Sequence, residues 1–324
     1  MSNPGETVCR ICRAPSTFAF SAREMYFGTR EKFDYVRCSD CGSLQIAEVP
    51  ANPSIYYDAN DADYYTRVAR PVARHVQEEP SPIRARWTAF RLAAGGLLRP
   101  FSGQRYGHFT WFTRTGTNVE DAILEVGCGS GRLLWRLHHE GFRNLTGIDL
   151  HLGPAVRNDA SPWFSQGSLE SHQGVYSLVM AHHSFEHVED PRLAFRAFAR
   201  LVESGGWLLL RIPLADSWAC RHYQADWVQL DAPRHLHLHT RRSIEGLAKD
   251  FGFRVERVVD DSGPFQIWGS ELYRRDVPLR SAAAHPRTLA DRAARLRARL
   301  RALILRATGQ GDQACFYLRR LGSE

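Results

Sequence analysis

Two acids and three glycines lie close enough in the sequence to bind a ribose-bearing cofactor. The glycines are at positions 127, 129 and 131, and without a Cβ they let the backbone turn sharply and approach a ligand closely. Glu125 precedes them, and Asp149 ends the next apolar run. A carboxylate at a strand end can accept hydrogen bonds from both ribose hydroxyls. These residues indicate a site for an adenosine-type cofactor.

The glycine spacing separates two classes of cofactor. NAD and flavin folds use G-x-G-x-x-G, with a pyrophosphate over the N-terminus of the following helix. Here the pattern is G-x-G-x-G, and the nearby Glu125 is poorly suited to a pyrophosphate. An acid suits a cofactor with an ammonium group, such as the methionine part of S-adenosylmethionine. A dinucleotide fold and a glycine-rich turn without a ligand are the alternatives.

Alternating strands and helices must position these residues. The apolar run 122–126 predicts a buried strand before the glycine turn, and leucines at helical spacing predict a helix over 132–140. Gly205 and Gly206 predict a turn between a helix and a strand. The other predicted strands cover 145–150, 176–181, 207–212, 253–259 and 313–318, and the other predicted helices cover 190–202 and 240–251.

This succession resembles the class I S-adenosylmethionine-dependent methyltransferases. The resemblance rests on Glu-x-Gly-x-Gly-x-Gly at 125–131, His-x-x-Glu-His-Val at 183–188 and the Gly-Gly turn, and it covers about residues 120–260. It implies an α/β fold with a Rossmann-like, mostly parallel seven-stranded sheet, in which the seventh strand is antiparallel beside the sixth. It also implies cofactor contacts from Glu125, Gly127, Cys128, Gly129, Gly131, Asp149, Leu150, Ser168, Leu169 and His182.

Two Cys-x-x-Cys pairs near the N-terminus predict a structural zinc site. Cys9 and Cys12 form one pair, and Cys38 and Cys41 form the other. Two such turns place four thiolates around one metal and leave no open coordination position. Two disulfides and a redox pair are the alternatives, disfavoured because there is no export signal and no strand–helix unit around either pair. The other three cysteines are unpaired by spacing.

Length and composition predict three regions. These are a zinc module over 1–50, a helical lid or linker over 51–118, and a methyltransferase domain over 119–324 with a helical insert at about 262–311. Apolar residues make up 44% of the chain, enough for a core. Because no apolar run is long enough to cross a membrane and the first residues do not form a basic and then apolar signal, we expect a cytoplasmic protein. The sequence does not predict an oligomeric state.

The net charge of +7 comes almost entirely from arginine and favours acidic partners. A basic helix is predicted over 288–308, with Leu289, Leu296, Leu300 and either Leu303 or Ile304 on one face. Its arginine-rich opposite face resembles that of a helix that lies on a membrane. The preferred interpretation is a helix that packs on its own domain and keeps its arginines in solvent.

The segment between the two predicted domains is rich in aromatic residues. Tyrosines at 56, 57, 64 and 65 either cover the cofactor, as tyrosine clusters do at this place in similar methyltransferases, or pack a surface helix on the domain. Further along, Ile83, Trp87, Phe90 and Ala94 fit one face of a helix.

Two histidine clusters are candidates for the chemistry of methyl transfer, in which a hydroxyl nucleophile must lose a proton. The first consists of His182, His183, Glu186 and His187, which end the fourth strand at the ligand-binding edge of the sheet. His183-x-x-Glu186-His187 resembles a Glu-x-x-Glu-His metal site of quinone-biosynthesis O-methyltransferases, although the first Glu is His here. Otherwise, Glu186 and His187 cap the next helix and orient the pocket.

The second cluster is the alternating trio His235, His237 and His239, which would share one face of an extended segment. We predict His235 as the general base and Arg234 as the holder of an anionic substrate group.

The sequence favours methyl transfer to a small molecule: a sugar, a glycan or another biosynthetic metabolite. Sugar C-methyltransferases have a similar zinc module, but they carry a large C-terminal domain that this sequence does not contain. A quinone-type or lipid-linked acceptor at a membrane surface is the alternative. A nucleic-acid acceptor is disfavoured because no Asn/Asp-Pro-Pro-Tyr/Phe motif follows the fourth strand. A binding protein without activity is the third alternative.

Overall fold

The computed structural model describes residues 7–57, 82–93, 109–152, 163–282 and 289–322, and their strands form two sheets. We number strands and helices in chain order. The strands are β1 (Thr7–Val8), β2 (Pro15–Arg23), β3 (Lys32–Cys38), β4 (Leu44–Ile46), β5 (Ile123–Val126), β6 (Leu145–Asp149), β7 (Phe164–Gln166), β8 (Tyr176–His182), β9 (Val202–Pro213), β10 (His237–Leu238), β11 (Phe253–Asp260) and β12 (Gln313–Arg320).

Nine α-helices lie in the described part of the chain, together with short 3-10 turns such as Phe185–His187. They are α1 (Pro82–Ala93), α2 (Phe109–Thr115), α3 (Arg132–His139), α4 (Pro191–Leu201), α5 (Trp218–Tyr223), α6 (Arg241–Asp250), α7 (Phe265–Arg274), α8 (Leu279–Ala282) and α9 (Leu289–Ala307).

The larger sheet has seven strands in the order β11-β12-β9-β8-β5-β6-β7. Neighbouring strands from β9 to β7 are parallel, whereas β12 is antiparallel to both β9 and β11. The predicted α/β fold is therefore confirmed, including the antiparallel seventh strand beside the sixth. Its central strands are buried on both faces, as the continuous apolar runs of a covered parallel sheet require.

One predicted boundary was wrong. The expected turn at Gly205 and Gly206 lies inside β9, because Val202 already pairs with Tyr176 of β8. The register between β8 and β9 shifts directly afterwards, so an irregularity in the ladder accommodates the residues that the sequence assigned to a loop.

The smaller sheet joins the N-terminal segment to the part of the chain that carries the larger sheet. Its strand order is β1-β2-β3-β4-β10, and β10 lies far along the sequence from the other four. Within the pairing of β4 and β10, Leu44 is opposite Leu238 and Gln45 is opposite His237. The predicted boundary at residue 50 stays a prediction, but a backbone ladder crosses it.

The predicted insert between β11 and β12 contains α7, α8 and α9. Helix α9 packs on the domain as expected, but through Ala298, Ala302 and Leu305 and not through the predicted leucine face. Alanines let the helix approach Ile267 of α7 closely, which long leucine side chains would prevent.

Helix α1 exposes part of its predicted apolar face, with Trp87 and Phe90 stacked edge-to-face at the surface. Residues 58–65 and 94–101, which contain Tyr64, Tyr65 and Ala94, lie outside the described residues, as does the side chain of Ile83. No helix in the described ranges combines the length and the apolar character needed to cross a bilayer.

Candidate active site

The three glycines form a turn whose middle residue faces open space. All three have positive φ angles, which glycine adopts without strain. A Cβ on Gly127 would lie 2.4 Å from Ser184, and one on Gly131 would lie 2.4 Å from the ring of Phe164. A Cβ on Gly129 would meet no protein atom within 4 Å. The sides of the turn are therefore packed by protein, whereas Gly129 leaves room for a ligand.

Asp149 lies at the end of β6, directly beside this turn. One carboxylate oxygen accepts a hydrogen bond from the backbone N–H of Gly129 at 2.8 Å, and the other accepts one from His151 N–H at 2.7 Å. Each carboxylate oxygen has a second lone pair, so the group is held in place and can still accept hydrogen bonds from a diol.

Glu125 and His182 form a buried pair next to the turn. Glu125 Oε1 lies 3.6 Å from His182 Nδ1, and the imidazole stacks on Trp111 with ring centroids 4.3 Å apart. Burial, assisted by the charge of Asp149, raises the pKa of Glu125 to about 8, and burial lowers the pKa of His182 to about 3. Glu125 Oε2 and both ring nitrogens of His182 are buried without a hydrogen-bond partner, so this pair can receive a cationic or donor group of a ligand.

The other predicted cofactor residues surround the same edge. Leu150 is 57% exposed beyond the end of β6, and Ser168 lies in the turn that follows β7. Leu169 is buried in the core. Cys128 is also buried, and its Sγ lies so close to Gly147 that a Cβ there would be 2.9 Å from it. A small side chain therefore fits at position 128.

A second cluster is built around the buried carboxylate of Glu186. This side chain has no exposed area, and its Oε1 lies 3.3 Å from His183 Nδ1 and 3.9 Å from His235 Nε2. The rings of His187 and His235 are 4.7 Å apart, edge to face. Ligand atoms of Glu186, His187 and His235 all lie within 4.8 Å of one another. The structure thus brings all four predicted catalytic residues together.

Backbone contacts fix the protonation pattern of two of these imidazoles. His235 Nδ1 lies 2.7 Å from the carbonyl oxygen of Gln229, so Nδ1 carries the hydrogen and Nε2 keeps a lone pair. His187 Nδ1 lies 2.9 Å from the carbonyl oxygen of Arg234, which assigns its hydrogen in the same way. His235 Nε2 therefore presents a basic nitrogen towards Glu186.

Burial is the main cause of the titration behaviour of this cluster. It lowers the pKa of His235 to about 4, with a further contribution from His187, so the ring is neutral near pH 7. Burial alone would raise the pKa of Glu186, but the hydrogen bond from His183 and the neighbouring imidazoles lower it to about 2. A neutral base thus lies beside an ionised carboxylate.

The backbone at His183 is strained. Its φ is 52°, in the left-handed region that residues other than glycine rarely adopt. The segment is held by the His183 N–H, which donates to the carbonyl of Arg211, and by Ser184 Oγ, which donates to the carbonyl of Val126. Ser184 also packs on Gly127, so the two clusters are adjacent.

The expected shared face of the three histidines in the segment 231–240 is present only in part. His237 and His239 lie on the same side, with ring centroids 6.2 Å apart, but His237 Nε2 contacts the carbonyl of Glu189 and His239 stacks on Phe185. Only two residues of the segment form a strand, so the assumed alternation does not extend to His235. Both rings are buried in the protein interior.

Arg234 is also not available to a substrate. It is 1% exposed, and its guanidinium contacts Glu24 at 3.1 Å and both carboxylate oxygens of Asp231. Glu24 in turn accepts hydrogen bonds from four backbone N–H groups of residues 26–29. Arg234 therefore joins the N-terminal sheet to the segment that carries His235.

Sequence reasoning missed the supporting residues Trp111, Glu24 and Asp231. None of them belongs to a motif. Trp111 and Glu24 are brought to the site by contacts between distant segments, whereas Asp231 pairs with Arg234 only three residues further along. The tyrosine cluster was a better signal: Tyr57 O–H lies 3.0 Å from His187 Nδ1, and its ring stacks near His151. This tyrosine lies between the two clusters.

The four N-terminal cysteines converge as their spacing predicts. Cys9 Sγ is 3.8 Å from Cys41 Sγ, and Cys12 Sγ is 3.3 Å from Cys38 Sγ, so neither pair is a disulfide. Metal–sulfur bonds of about 2.3 Å in a tetrahedron place the sulfurs roughly 3.8 Å apart. The donor set therefore fits one zinc ion. The cluster also contacts the segment before α6, because Thr240 Oγ1 donates to the Cys41 carbonyl at 2.6 Å.

The family model described as "Methyltransferase domain" matches residues 72–258 of this chain. The chain therefore belongs to this methyltransferase family, and it is an S-adenosylmethionine-dependent methyltransferase of class I fold.

Several curated relatives share part of the sequence. A ubiquinone biosynthesis O-methyltransferase of Sodalis glossinidius is 32% identical over 165 residues, which are 45% of this chain and 65% of the relative. The ubiquinone biosynthesis O-methyltransferase of Cronobacter sakazakii is 31% identical over 137 residues, which are 38% of this chain and 56% of the relative. The chain thus spans less than two thirds of the length of these relatives.

Solved structures of low sequence identity are also similar. An S-adenosylmethionine-dependent methyltransferase from Mesorhizobium loti is 18% identical with a TM-score of 0.42, covering 62% of this chain and 91% of that one. Geranyl diphosphate C-methyltransferase from Streptomyces coelicolor is 16% identical with a TM-score of 0.42, covering 63% of this chain and 73% of that one.

Proposed function

We propose that this enzyme methylates a hydroxyl group of a small biosynthetic molecule, with His235 as the general base. The observation that carries the proposal is the buried cluster in which neutral His235 lies beside the ionised carboxylate of Glu186. S-adenosylmethionine supplies a methyl group activated on a sulfonium. What the protein must add is orientation of the acceptor oxygen and removal of its proton.

In this mechanism the acceptor O–H donates to His235 Nε2. The proton would move to that nitrogen, which leaves the acceptor oxygen as the nucleophile for the methyl group that S-adenosylmethionine would supply. The resulting imidazolium is stabilised by Glu186 Oε1 and by Asp231 Oδ2, each 3.9 Å from Nε2 before the reaction. The Gln229 carbonyl keeps the ring oriented through Nδ1.

We assign the glycine turn and its neighbours to the cofactor. Asp149 would accept hydrogen bonds from the ribose hydroxyls, and the buried pair of Glu125 and His182 would receive the ammonium group of the methionine part. Gly129 leaves the space in which the backbone can approach the ligand. Gly127, Cys128, Gly131, Leu150, Ser168 and Leu169 would shape the rest of this site.

The acceptor is a phenol of quinone type in our preferred assignment. Support comes from the similarity to ubiquinone biosynthesis O-methyltransferases and from the Glu186-His187 pair that the chain shares with the metal site of quinone-biosynthesis O-methyltransferases. A sugar or glycan hydroxyl is the second choice, suggested by the zinc module. The mixed acid and histidine surroundings of the cluster do not resemble the basic surface that a nucleic-acid acceptor requires.

A divalent cation is a second role that the same residues could fulfil. Glu186, His187 and His235 offer one carboxylate and two imidazoles within 4.8 Å, a donor set suited to several divalent metals. Glu186 Oε2 is buried without a hydrogen-bond partner, so it is available as a ligand for a cation. In that case His235 would be a ligand, and the metal would orient the acceptor oxygen.

We assign the four cysteines to one structural zinc ion. The ion would hold the turns at Cys9–Cys12 and Cys38–Cys41 against the N-terminus of α6, where Thr240 caps the helix. It would thereby support the segment that carries His235, without contact with the acceptor.

Methyl transfer to a panel of catechols, hydroxylated quinols and nucleotide sugars tests the function. We expect turnover of the catechols, and a decrease in kcat of about 10² to 10⁴ in His235→Gln, the usual contribution of a general base. His139→Gln, a half-buried histidine at the end of α3, is the matched control. Affinity for S-adenosylhomocysteine should not change in either variant.

The result also separates a base from a metal ligand. If activity in the wild type disappears with a chelator and returns with Mg²⁺ or Mn²⁺ alone, His235 acts through a cation. If the enzyme methylates nucleotide sugars but no catechol or quinol, the acceptor is a sugar and the assignment to a phenol is wrong. Full activity of His235→Gln would refute the proposed base.

A further inference from the structure

Helix α9 has an apolar stripe on the side that faces away from the protein. Leu296, Leu300, Leu303 and Ile304 are between 56% and 64% exposed, although they are four of the most hydrophobic residues of the helix. The side that packs on α7 is formed by Ala298, Ala302 and Leu305. With 3.6 residues per turn, the two sets lie on opposite sides of the helix. The solvent side is thus more hydrophobic than the packed side.

Arginines border this stripe on both sides. By helical periodicity, Arg297 and Arg301 lie along one border, and Arg292, Arg299 and Arg306 lie along the other. The helix has six arginines and one aspartate, a net charge of +5. Arg301 is fixed over the ring of Trp218 at 4.0 Å. The stripe therefore lies within a strongly positive surface.

We propose that α9 is a docking surface for an anionic phospholipid bilayer. An apolar stripe can enter the region between headgroups and acyl chains, while arginine side chains on both borders reach the lipid phosphates. Each basic residue near an anionic surface adds to binding. Because α9 is held on the domain through Ala298 and Ala302, the stripe is presented without any change in the fold.

Charge argues against a second copy of the chain as the occupant. Two copies paired through the stripe would bring two helices of net charge +5 side by side. A nucleic acid would use the arginines but would leave the four aliphatic side chains in water. Of these three occupants, an anionic bilayer is the one that uses both the stripe and its borders.

The position of α9 is compatible with a lipid-borne acceptor. The helix leads into β12, whose first residue Gln313 pairs with Pro213 at the carboxyl end of β9. The connection is anchored there, because Arg241 donates to the Gly309 carbonyl and Trp218 N–H donates to the Gln310 carbonyl. This is the edge of the sheet at which the His183 and Glu186 cluster lies. The docking surface itself does not depend on which acceptor the enzyme uses.

Sedimentation of the full chain with phosphatidylcholine vesicles, with and without phosphatidylglycerol, tests the proposal. We expect binding only to the anionic vesicles, weakened by salt. The double variant Leu300→Gln/Ile304→Gln should lose at least about tenfold in vesicle affinity, because it removes apolar contact with the acyl chains. Leu193→Gln on α4, also an exposed leucine, is the matched control and should bind as the wild type.

A second pair of variants tests the charged borders. Arg297→Glu/Arg299→Glu should also lose at least about tenfold in affinity for anionic vesicles, whereas Arg196→Glu on α4 should change it little. All these positions are exposed, so melting temperatures should stay close to that of the wild type.

Absence of binding to anionic vesicles would overturn the proposal. So would binding that survives both double variants. A wild-type dimer in solution that Leu300→Gln/Ile304→Gln converts to a monomer would also overturn it and would assign the stripe to a second copy of the chain.

Discussion

The cofactor side and the acceptor side of this site are built in different ways. The cofactor side, from Glu125 to Asp149, comes from one strand–turn–helix–strand unit, whose turn is held by hydrogen bonds to Ile148 and Asp149 of the same unit. His182 and Trp111 join it from outside the unit. The acceptor side combines Glu186 with His235, and His235 is held by Arg234 and Glu24 of the N-terminal sheet. Cofactor binding and acceptor chemistry should therefore respond to different mutations.

The largest expected difference follows from removing the proposed zinc ion of the four cysteines. Cys38→Ser/Cys41→Ser, or treatment with a strong zinc chelator, should abolish methyl transfer, because β3 and β4 would lose the anchor that supports β10 and the His235 segment. Calorimetry should still show binding of S-adenosylhomocysteine. Elemental analysis should find one zinc per wild-type chain.

Cys220→Ser is the matched control, since Cys220 is a buried thiol outside the four-cysteine cluster. If the cysteine variants lose cofactor binding together with activity, the two sides are not independent. If the wild-type chain contains no zinc, the proposed metal is wrong.

Breaking the buried ion pair should mainly reduce stability. Arg234→Met leaves Glu24 and Asp231 as buried carboxylates without their cation, and we expect a loss of about 3 to 5 kcal/mol in the free energy of unfolding. Urea denaturation measures it. Arg23→Met removes a half-exposed arginine of the same sheet, which pairs with Asp226 and Asp276, and should cost about 1 kcal/mol or less. Equal losses in the two variants would contradict the central role of Arg234.

On the cofactor side, Asp149→Ala should weaken binding without affecting the fold. Loss of two charge-assisted hydrogen bonds to ribose hydroxyls predicts a decrease of about 10- to 100-fold in affinity for S-adenosylmethionine. Asp121→Ala, at the turn before β5, is a control outside the proposed site. Tighter binding of NAD than of S-adenosylmethionine would contradict the assignment of the site.

The pH dependence of the acceptor side should be displaced to low pH. The pKa of His235 in the folded protein is lowered to about 4, so the neutral base persists as the pH falls below the ordinary histidine value of about 6.5. The acid limb of kcat/KM should therefore lie near pH 4 to 5. The same lowered pKa makes the folded protein less stable in acid. Below pH 6.5 the histidine binds a proton more readily in the unfolded chain than in the folded one, so acid favours unfolding. An acid limb at pH 6.5 would assign the base to another group.

The smallest expected effect is the release of a proton when the cofactor binds. The pKa of Glu125 is raised to about 8 in the empty site, so this carboxyl is largely protonated at pH 7. An ammonium group beside it favours the ionised form, which lowers the pKa and releases up to one proton. Binding enthalpies in buffers of different ionisation enthalpy measure this release. It should vanish in Glu125→Gln, and a release unchanged in that variant would locate the proton elsewhere.

The sequence predicted the cofactor side better than the acceptor side for a physical reason. The positions of Gly127 and Asp149 follow from local strand, turn and helix signals within one unit, and the parallel order of the sheet follows from the alternation of elements. The role of Arg234 could not be predicted, because its partner Glu24 is distant in the sequence and no local pattern marks the contact. The stripe on α9 shows the same limit: periodicity revealed the apolar face, but only packing shows which face meets the domain.

The ladder between β4 and β10 also has a consequence for the order of events during synthesis. The first four strands of the smaller sheet leave the ribosome early, but Leu44 finds its partner only after Leu238 has been made. Such a long sequence separation slows the closing step of folding. Until then one edge of the nascent sheet is open to other chains. A chain interrupted before β10 should therefore aggregate, even if its cysteines have already bound the proposed zinc ion.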